Sequence, residues 1–218
     1  MKLLVACEES QAVCSAFRAR GHEAYSCDII EPSGGHPEWH IKQDVLPLLD
    51  GRCEFDTLDG AHHVMPDRWD MIIAHPPCTY LTSCGSSKLF NSDHSIRNRD
   101  RLEKGIVAKD FFMRIYYAKC ECICIENPAP IKLFHLPPYS QIIEPYIFGH
   151  PWKKRTCLWL RGLPLLESTD IVEPKGCWVR TSGPTSRTKL LDILGVISAR
   201  ERAKTFPGVA AAMAEQWG

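Results

Sequence analysis

Two short segments of this sequence carry residue types that do chemistry together: Pro76-Pro77-Cys78 and Glu126-Asn127-Pro128. A thiol on a rigid Pro-Pro turn is poised as a nucleophile, and backbone dipoles at such a turn lower its pKa. A carboxyl brought from a second turn can give a proton or a hydrogen bond to a ring under attack. Taken singly, Cys78 reads as a small buried side chain and Glu126-Asn127-Pro128 as the end of a strand. Taken together, each at the end of a predicted parallel strand, they read as a reactive pair. A third cluster, Glu8-Glu9-Ser10, is followed by Asp28, 20 residues after Glu8. A strand–loop–helix unit with an acid at that distance has the logic of a nucleoside-binding half, the acid taking ribose hydroxyls. Its loop lacks glycines, so no pyrophosphate has to be cradled there.

The elements that must position these residues follow from hydrophobic patterning. Residues 3–7 read as a buried strand, and Gln11 to Arg20 as a helix with Val13, Ala16 and Phe17 at helical spacing and Gly21 as its stop. Residues 24–28 read as a second strand ending on Asp28, followed by a Gly/Pro-rich loop from Pro32 to Pro37. Asp44 to Leu49 reads as a short strand or turn. Trp69 to Ala74 is a third buried strand, terminated by His75-Pro76-Pro77-Cys78. Residues 83–104 are polar and read as a mobile loop leading into a helix over Leu102 to Ala118, with Ile106, Phe111, Phe112 and Ile115 buried. Residues 121–125 and Thr156 to Leu160 read as strands, and Ser198 to Trp217 as one or two helices. Cys120, Cys122 and Cys124 alternate and would share one face of a strand. Strands alternating with helices predict an α/β fold with a mostly parallel sheet. Its ligand site lies beyond the carboxyl ends of the strands, where all the polar clusters fall. The expected organisation is a core over 1–160, a loop segment over 161–197 and a helical segment over 198–218 that completes the core.

Hydrophobic residues make up 44% and charged residues 24% of the 218 residues, an ordinary globular composition. Lys plus Arg and Asp plus Glu are 26 each, which argues against coating nucleic acid or membrane by bulk charge. The zero sum hides a polarity. Residues 1–78 carry 6 basic and 13 acidic side chains, 79–150 carry 9 and 7, and 151–218 carry 11 and 6. The acidic third contains the nucleoside-binding half, and the basic remainder contains the loop after Cys78, the basic stretch at 152–156 and the loop segment over 161–197. The odd set of 11 cysteines, with no apolar stretch long enough for a signal or a membrane span, points to free thiols in a reducing cytoplasm. No Cys-x-x-Cys pair or zinc-finger histidine spacing occurs, so no metal site is expected.

These residues, in this order, resemble the cytosine carbon-5 DNA methyltransferases. Leu3 to Asp28 resembles the family's first S-adenosylmethionine motif and ribose-binding acid, and Asp44-Val45 its acid near the adenine. Asp70 to Thr82 resembles the nucleophile motif, with Cys78 in the Pro-Cys position. Ile125-Glu126-Asn127-Pro128 resembles the Glu-Asn motif and Pro151 to Leu160 the basic motif. Arg200-Glu201 to Phe206-Pro207, with the Ala-rich tail to Trp217, resembles the last motifs. The resemblance implies a Rossmann-like S-adenosylmethionine-dependent methyltransferase fold, a twisted sheet with helices on both faces. It implies catalysis by Cys78 and Glu126, supported by Pro77, Asn127 and Arg155. It implies S-adenosylmethionine held by Cys7, Glu8, Glu9, Ser10, Asp28, Ile29, Asp44, Val45 and Pro76. It also implies duplex DNA with the target cytosine flipped out, contacted by Ser83, Arg97, Arg99, Arg101 and Lys154, and by Arg180, Arg187 and Lys189 in the loop segment.

The sequence departs from that family in three places. Ala6-Cys7-Glu8-Glu9-Ser10 replaces a Phe-x-Gly-x-Gly loop, so Glu8 or Glu9 would meet the methionine ammonium. Trp152-Lys153-Lys154-Arg155-Thr156 stands where Gln-x-Arg-x-Arg is usual. Only residues 161–197, which carry Lys175, Arg180, Arg187 and Lys189 with Trp178 between them, stand in for a large recognition region. Three readings therefore remain: methylation of cytosine in DNA; the same chemistry on RNA, a free cytidine nucleotide or with a different sulfonium donor; and a non-catalytic nucleic-acid-binding remnant.

Overall fold

The computed structural model describes residues 1–178 and 198–218. Seven strands form one sheet: β1 (Lys2–Ala6), β2 (Glu23–Asp28), β3 (His40–Lys42), β6 (Met71–Ala74), β7 (Cys122–Asn127), β8 (Gln141–Ile143) and β10 (Thr156–Arg161). Their spatial order is β3-β2-β1-β6-β7-β10-β8. All pairs from β3 to β7 are parallel, whereas β10 runs antiparallel to both β7 and β8. A hairpin of β4 (Cys53–Asp56) and β5 (His62–Met65), and a parallel pair of β9 (Trp152–Lys153) and β11 (Gly176–Cys177), lie outside this sheet. The helices are α1 (Ala12–Ala19), α2 (Arg99–Tyr116), α3 (Ala199–Ala203) and α4 (Pro207–Trp217). This is the α/β architecture expected from the sequence, a mostly parallel sheet with helices on both faces.

Strand alternation divides the core into two layers. Leu3 and Val5 of β1, Met71 and Ile73 of β6, and Cys124 of β7 pack against Phe17 of α1 and Met213 and Trp217 of α4. Leu4 and Ala6, Ile72 and Ala74, and Ile123 and Ile125 face the other way, toward Phe112 and Ile115 of α2. Both faces are covered, which is why these strands read as continuous apolar runs rather than alternating ones. Cys122 and Cys124 do share a face, but Cys120 precedes the strand and belongs to the opposite layer.

Three details differ from the sequence reading. Helix α2 begins at Arg99, because the Asn98 side chain accepts the Arg101 N–H at 2.9 Å and caps it. Its buried stripe runs through Gly105, Phe112 and Ile115, so Ile106 is 55% exposed rather than buried. The reason is Phe134, whose ring packs so tightly on Gly105 that a Cβ there would lie 2.2 Å from it. The third difference is the segment before α2, which is tied down and not a free loop. Ser83 N–H donates to Ala129, Ile131 N–H donates to Leu81, and Leu81 and Leu89 are buried. The short edge strands β3 and β8 and the β4–β5 hairpin were not expected from the sequence; Asp44 to Leu49 forms a 3-10 turn over Leu46–Leu48.

Candidate functional site

The register of β6 against β7 builds the site. Ala74 stands beside Ile125, so the next residues, His75 and Glu126, emerge side by side from the carboxyl ends of two parallel strands. Pro76 and Asn127 follow, and the Asn127 amide donates to the Pro76 carbonyl at 2.9 Å. Asn127 is buried, with 2% exposure, so this bond replaces the water its amide gave up. It staples the turn that carries Cys78 to the turn that carries Glu126. The sheet reverses its winding between β1 and β6, and His75 N–H donates to Ala6 at 2.9 Å there. Both turns therefore open beside the crevice where sheets of this topology bind ligands.

Glu126 and His75 form a nearly enclosed pair. The Nδ1 to Oε2 distance is 2.8 Å, and the side chains are 14% (His75) and 11% (Glu126) exposed. Burial alone would push the Glu126 carboxyl up. The hydrogen bond from His75, the charges of Lys154 and His75 and the Thr205 hydroxyl outweigh burial and hold it down at about 2. Burial likewise disfavours the His75 cation, but the hydrogen bond and charge of Glu126, joined by the charge of Glu8, raise its pKa against opposition from Lys154. Cys78 is exposed. The protein around it still desolvates its thiolate, and Glu126 adds negative charge, so its pKa is raised rather than lowered as the turn dipoles alone suggested. The arrangement thus offers an exposed thiol and, one strand over, an ionised carboxylate with a proton-bearing ring hydrogen-bonded behind it.

Lys154, not Arg155, supports Glu126. Lys154 is half-buried and donates to the Lys204 carbonyl at 3.1 Å, beside Thr205, whereas Arg155 is exposed and exerts its charge on Glu144 and Cys157. Strand β9 ends at Lys153, and alternation about that point turns the two basic residues in different directions. His75, Thr205 and Lys154 as a partner of Glu126 were missed by sequence reasoning. Only a histidine directly before Pro-Pro-Cys could have signalled the first. The others arrive from the C-terminal segment through tertiary packing.

The expected cofactor residues gather at the ends of β1 and β2. Asp28 and Asp44 both bear electrostatically on the Cys7 thiol, which burial holds far above its ordinary pKa. Asp28 and Asp44 accept from the backbone of Ile30 and Leu46, Ile29 is 71% exposed, and Val45 is buried. Glu8 does not present a free carboxylate. It is 3% exposed, and its two oxygens accept from Val13 and Cys14 N–H at 2.6 and 3.2 Å, capping α1. Burial raises its pKa. Glu9 is paired with Arg200 of α3 at 2.6 Å. The contact expected between one of these acids and a methionine ammonium therefore has internal competitors. Without glycines, the loop reaches its shape through left-handed backbone at Cys7 and Gln11, each with φ of 58°. Gln11 then fills the gap. Its side chain bonds His36 N–H and carbonyl, and its Cβ lies 2.5 Å from where a Cβ on Gly34 would stand. Ser10 accepts from Ala12 N–H, and Pro76 is buried.

Of the residues expected at nucleic acid, Ser83, Arg97 and Arg99 are exposed. Arg101 is turned inward: its guanidinium donates to the Thr79 carbonyl and lies over the Tyr80 ring at 5.1 Å, holding the segment after Cys78. Arg180, Arg187 and Lys189 lie outside the described residues. Among the described residues no group of three or more His, Cys, Asp or Glu is arranged to hold a metal, and no helix is long and apolar enough to cross a membrane.

No protein-family model matches the chain, and no curated protein matches it. Solved structures do. A protein described as a DNA modification methyltransferase encoded within an E. coli prophage is 12% identical, with a TM-score of 0.41 over 79% of this chain and 52% of its own. The Entamoeba histolytica methyltransferase EhMeth is 14% identical, with a TM-score of 0.44 over 79% of this chain and 57% of its own. A mutant of Spodoptera frugiperda DNMT2 is 16% identical, with a TM-score of 0.36 over 79% of this chain and 54% of its own. The chain spans about half the length of these structures.

Proposed function

We propose that the chain methylates carbon 5 of cytosine in DNA. The observation that carries this reading is the Asn127–Pro76 bond, which joins an exposed thiol turn to a buried carboxylate turn. Attack by the Cys78 thiolate on carbon 6 forms a sulfur–carbon bond and drives the ring electrons toward carbon 5 and N3. Glu126 meets N3 and the exocyclic amine, so negative charge does not build up uncompensated in the ring. Carbon 5 becomes enamine-like and nucleophilic. Once carbon 5 carries the methyl group, loss of its proton to water and departure of the Cys78 thiolate restore aromaticity.

S-adenosylmethionine, when bound, supplies an electrophilic methyl group. The residues present fit it: an exposed Ile29 beside the Asp28 and Asp44 carboxylates suits a purine with its ribose at the end of β2. Arg97 and Arg99 are available to phosphate, and Arg101 orders the segment that carries them.

Nucleoside mass spectrometry of DNA from cells expressing the chain tests this. The reading requires 5-methylcytosine above a Cys78→Ser control. Absence of the product in DNA with its presence in RNA would transfer the activity to RNA, and absence from both would defeat the reading.

A further inference from the structure

We infer that His75 is a positioning residue that holds the proton Glu126 delivers to the base. The inference deepens the cytosine reading and rests on it. A carboxylate facing ring N3 helps most if it can hand over a proton as the thiolate attacks. Glu126 in this chain is ionised, so it has none of its own to give. The geometry supplies one: His75 Nδ1 lies 2.8 Å from Glu126 Oε2, and the register of β6 and β7 fixes the contact. The other ring nitrogen, Nε2, is buried without a hydrogen-bond partner among the described residues, so the ring is oriented by the Glu126 bond.

The proton balance closes. As the sulfur–carbon 6 bond forms, the electron pair displaced from the ring reaches N3. The Glu126 carboxylate takes the Nδ1 proton of the His75 cation at Oε2 and passes it to N3, leaving His75 neutral. When the thiolate leaves, N3 returns the proton through the Glu126 carboxyl and His75 is recharged. No outside acid is consumed. The charged and titratable groups that face the pair are Glu8 after β1, Lys154 after β9, Cys78 beyond the Pro-Pro turn, Cys124 of β7 and Cys157 of β10. Glu8 favours the His75 cation and Lys154 opposes it, so the proton is held by two carboxylates against one ammonium.

Two measurements test this, and they separate it from the cytosine reading. The first is a histidine ring nitrogen NMR titration of the wild-type protein and Glu126→Gln. His75 should remain a cation above the ordinary histidine value of about 6.5 and lose its proton at lower pH once Glu126 is neutral. A neutral His75 at pH 6 in the wild type would overturn the inference, whether or not the protein is active. The second is the rate of covalent trapping on 5-fluorocytosine DNA as a function of pH. His75→Gln keeps an N–H for Glu126 but cannot carry the extra proton. It should slow trapping about 100-fold and lack the alkaline decline that the inference predicts for the wild type. Equal rates and an unchanged pH profile in His75→Gln would overturn the inference. No trapping by the wild type at any pH would overturn the cytosine reading instead, and the NMR result would still decide where the proton sits.

Discussion

The amide of Asn127 donates to the carbonyl of Pro76 across 2.9 Å, joining the last residue of β7 to the turn that begins after β6. Asn127→Asp removes the donor and sets a carboxylate against a carbonyl in a buried place. Leaving a buried polar group unsatisfied costs about 1–3 kcal/mol. The variant should melt earlier by that amount in denaturant titration. It should also trap 5-fluorocytosine DNA at least about 100-fold more slowly, because the two turns lose their common anchor.

Lys154, rather than its neighbour, supports the Glu126 carboxylate. In Lys154→Met, carboxyl NMR should show the Glu126 pKa rising from about 2, and in Arg155→Met it should not move. Trapping should slow about tenfold in Lys154→Met, equivalent to roughly 1.4 kcal/mol of barrier, and change little in Arg155→Met. The reverse order would return the basic role to Arg155.

The His75–Glu126 pair predicts a stability window. Glu126 has a depressed pKa, so its contribution is present above the unfolded carboxyl value, about 4.3, and is lost as pH falls toward about 2. His75 has a raised pKa, so its contribution is present below the unfolded histidine value, about 6.5, and is lost as pH rises through the raised value. The pair therefore stabilises most between about pH 4.3 and 6.5, with the acid arm worth on the order of 3 kcal/mol at most. Denaturation across pH should show that arm in the wild type and lose it in Glu126→Gln.

Much of this was legible in the sequence because apolar runs buried on both faces announce themselves. β1, β2, β6, β7 and β10 all fell within about two residues of the expected places. Strands of three residues, such as β3 and β8, carry too little pattern to announce anything. Ile106 was misplaced because periodicity cannot reveal that Phe134 requires Gly105 on the inside. Cys78, Glu126 and Asn127 could be singled out by residue type, whereas the link between His75 and Glu126 depends on strand register across 51 residues. Glu8 was read as a ligand for a cation because its position was visible, while its bonds to the first turn of α1 were not.

Those bonds make Glu8 a helix cap. Glu8→Ala should cost about 1–2 kcal/mol in a chemical denaturation series, within the range for a lost N-terminal cap. Glu8→Gln, which retains an acceptor, should cost less. Equal stability of Glu8→Ala and the wild type would show that α1 does not depend on this carboxylate.

The central claim is that Cys78 attacks the cytosine ring. Fluorine at carbon 5 cannot leave as a proton, so an enzyme that works this way becomes locked to its substrate. Wild-type protein mixed with S-adenosylmethionine and duplex DNA containing 5-fluorocytosine should give a covalent adduct on a denaturing gel, with peptide mass mapping placing the bond at Cys78. Cys78→Ser should give none. An adduct that persists in Cys78→Ser, or no adduct with the wild-type protein, would contradict the account.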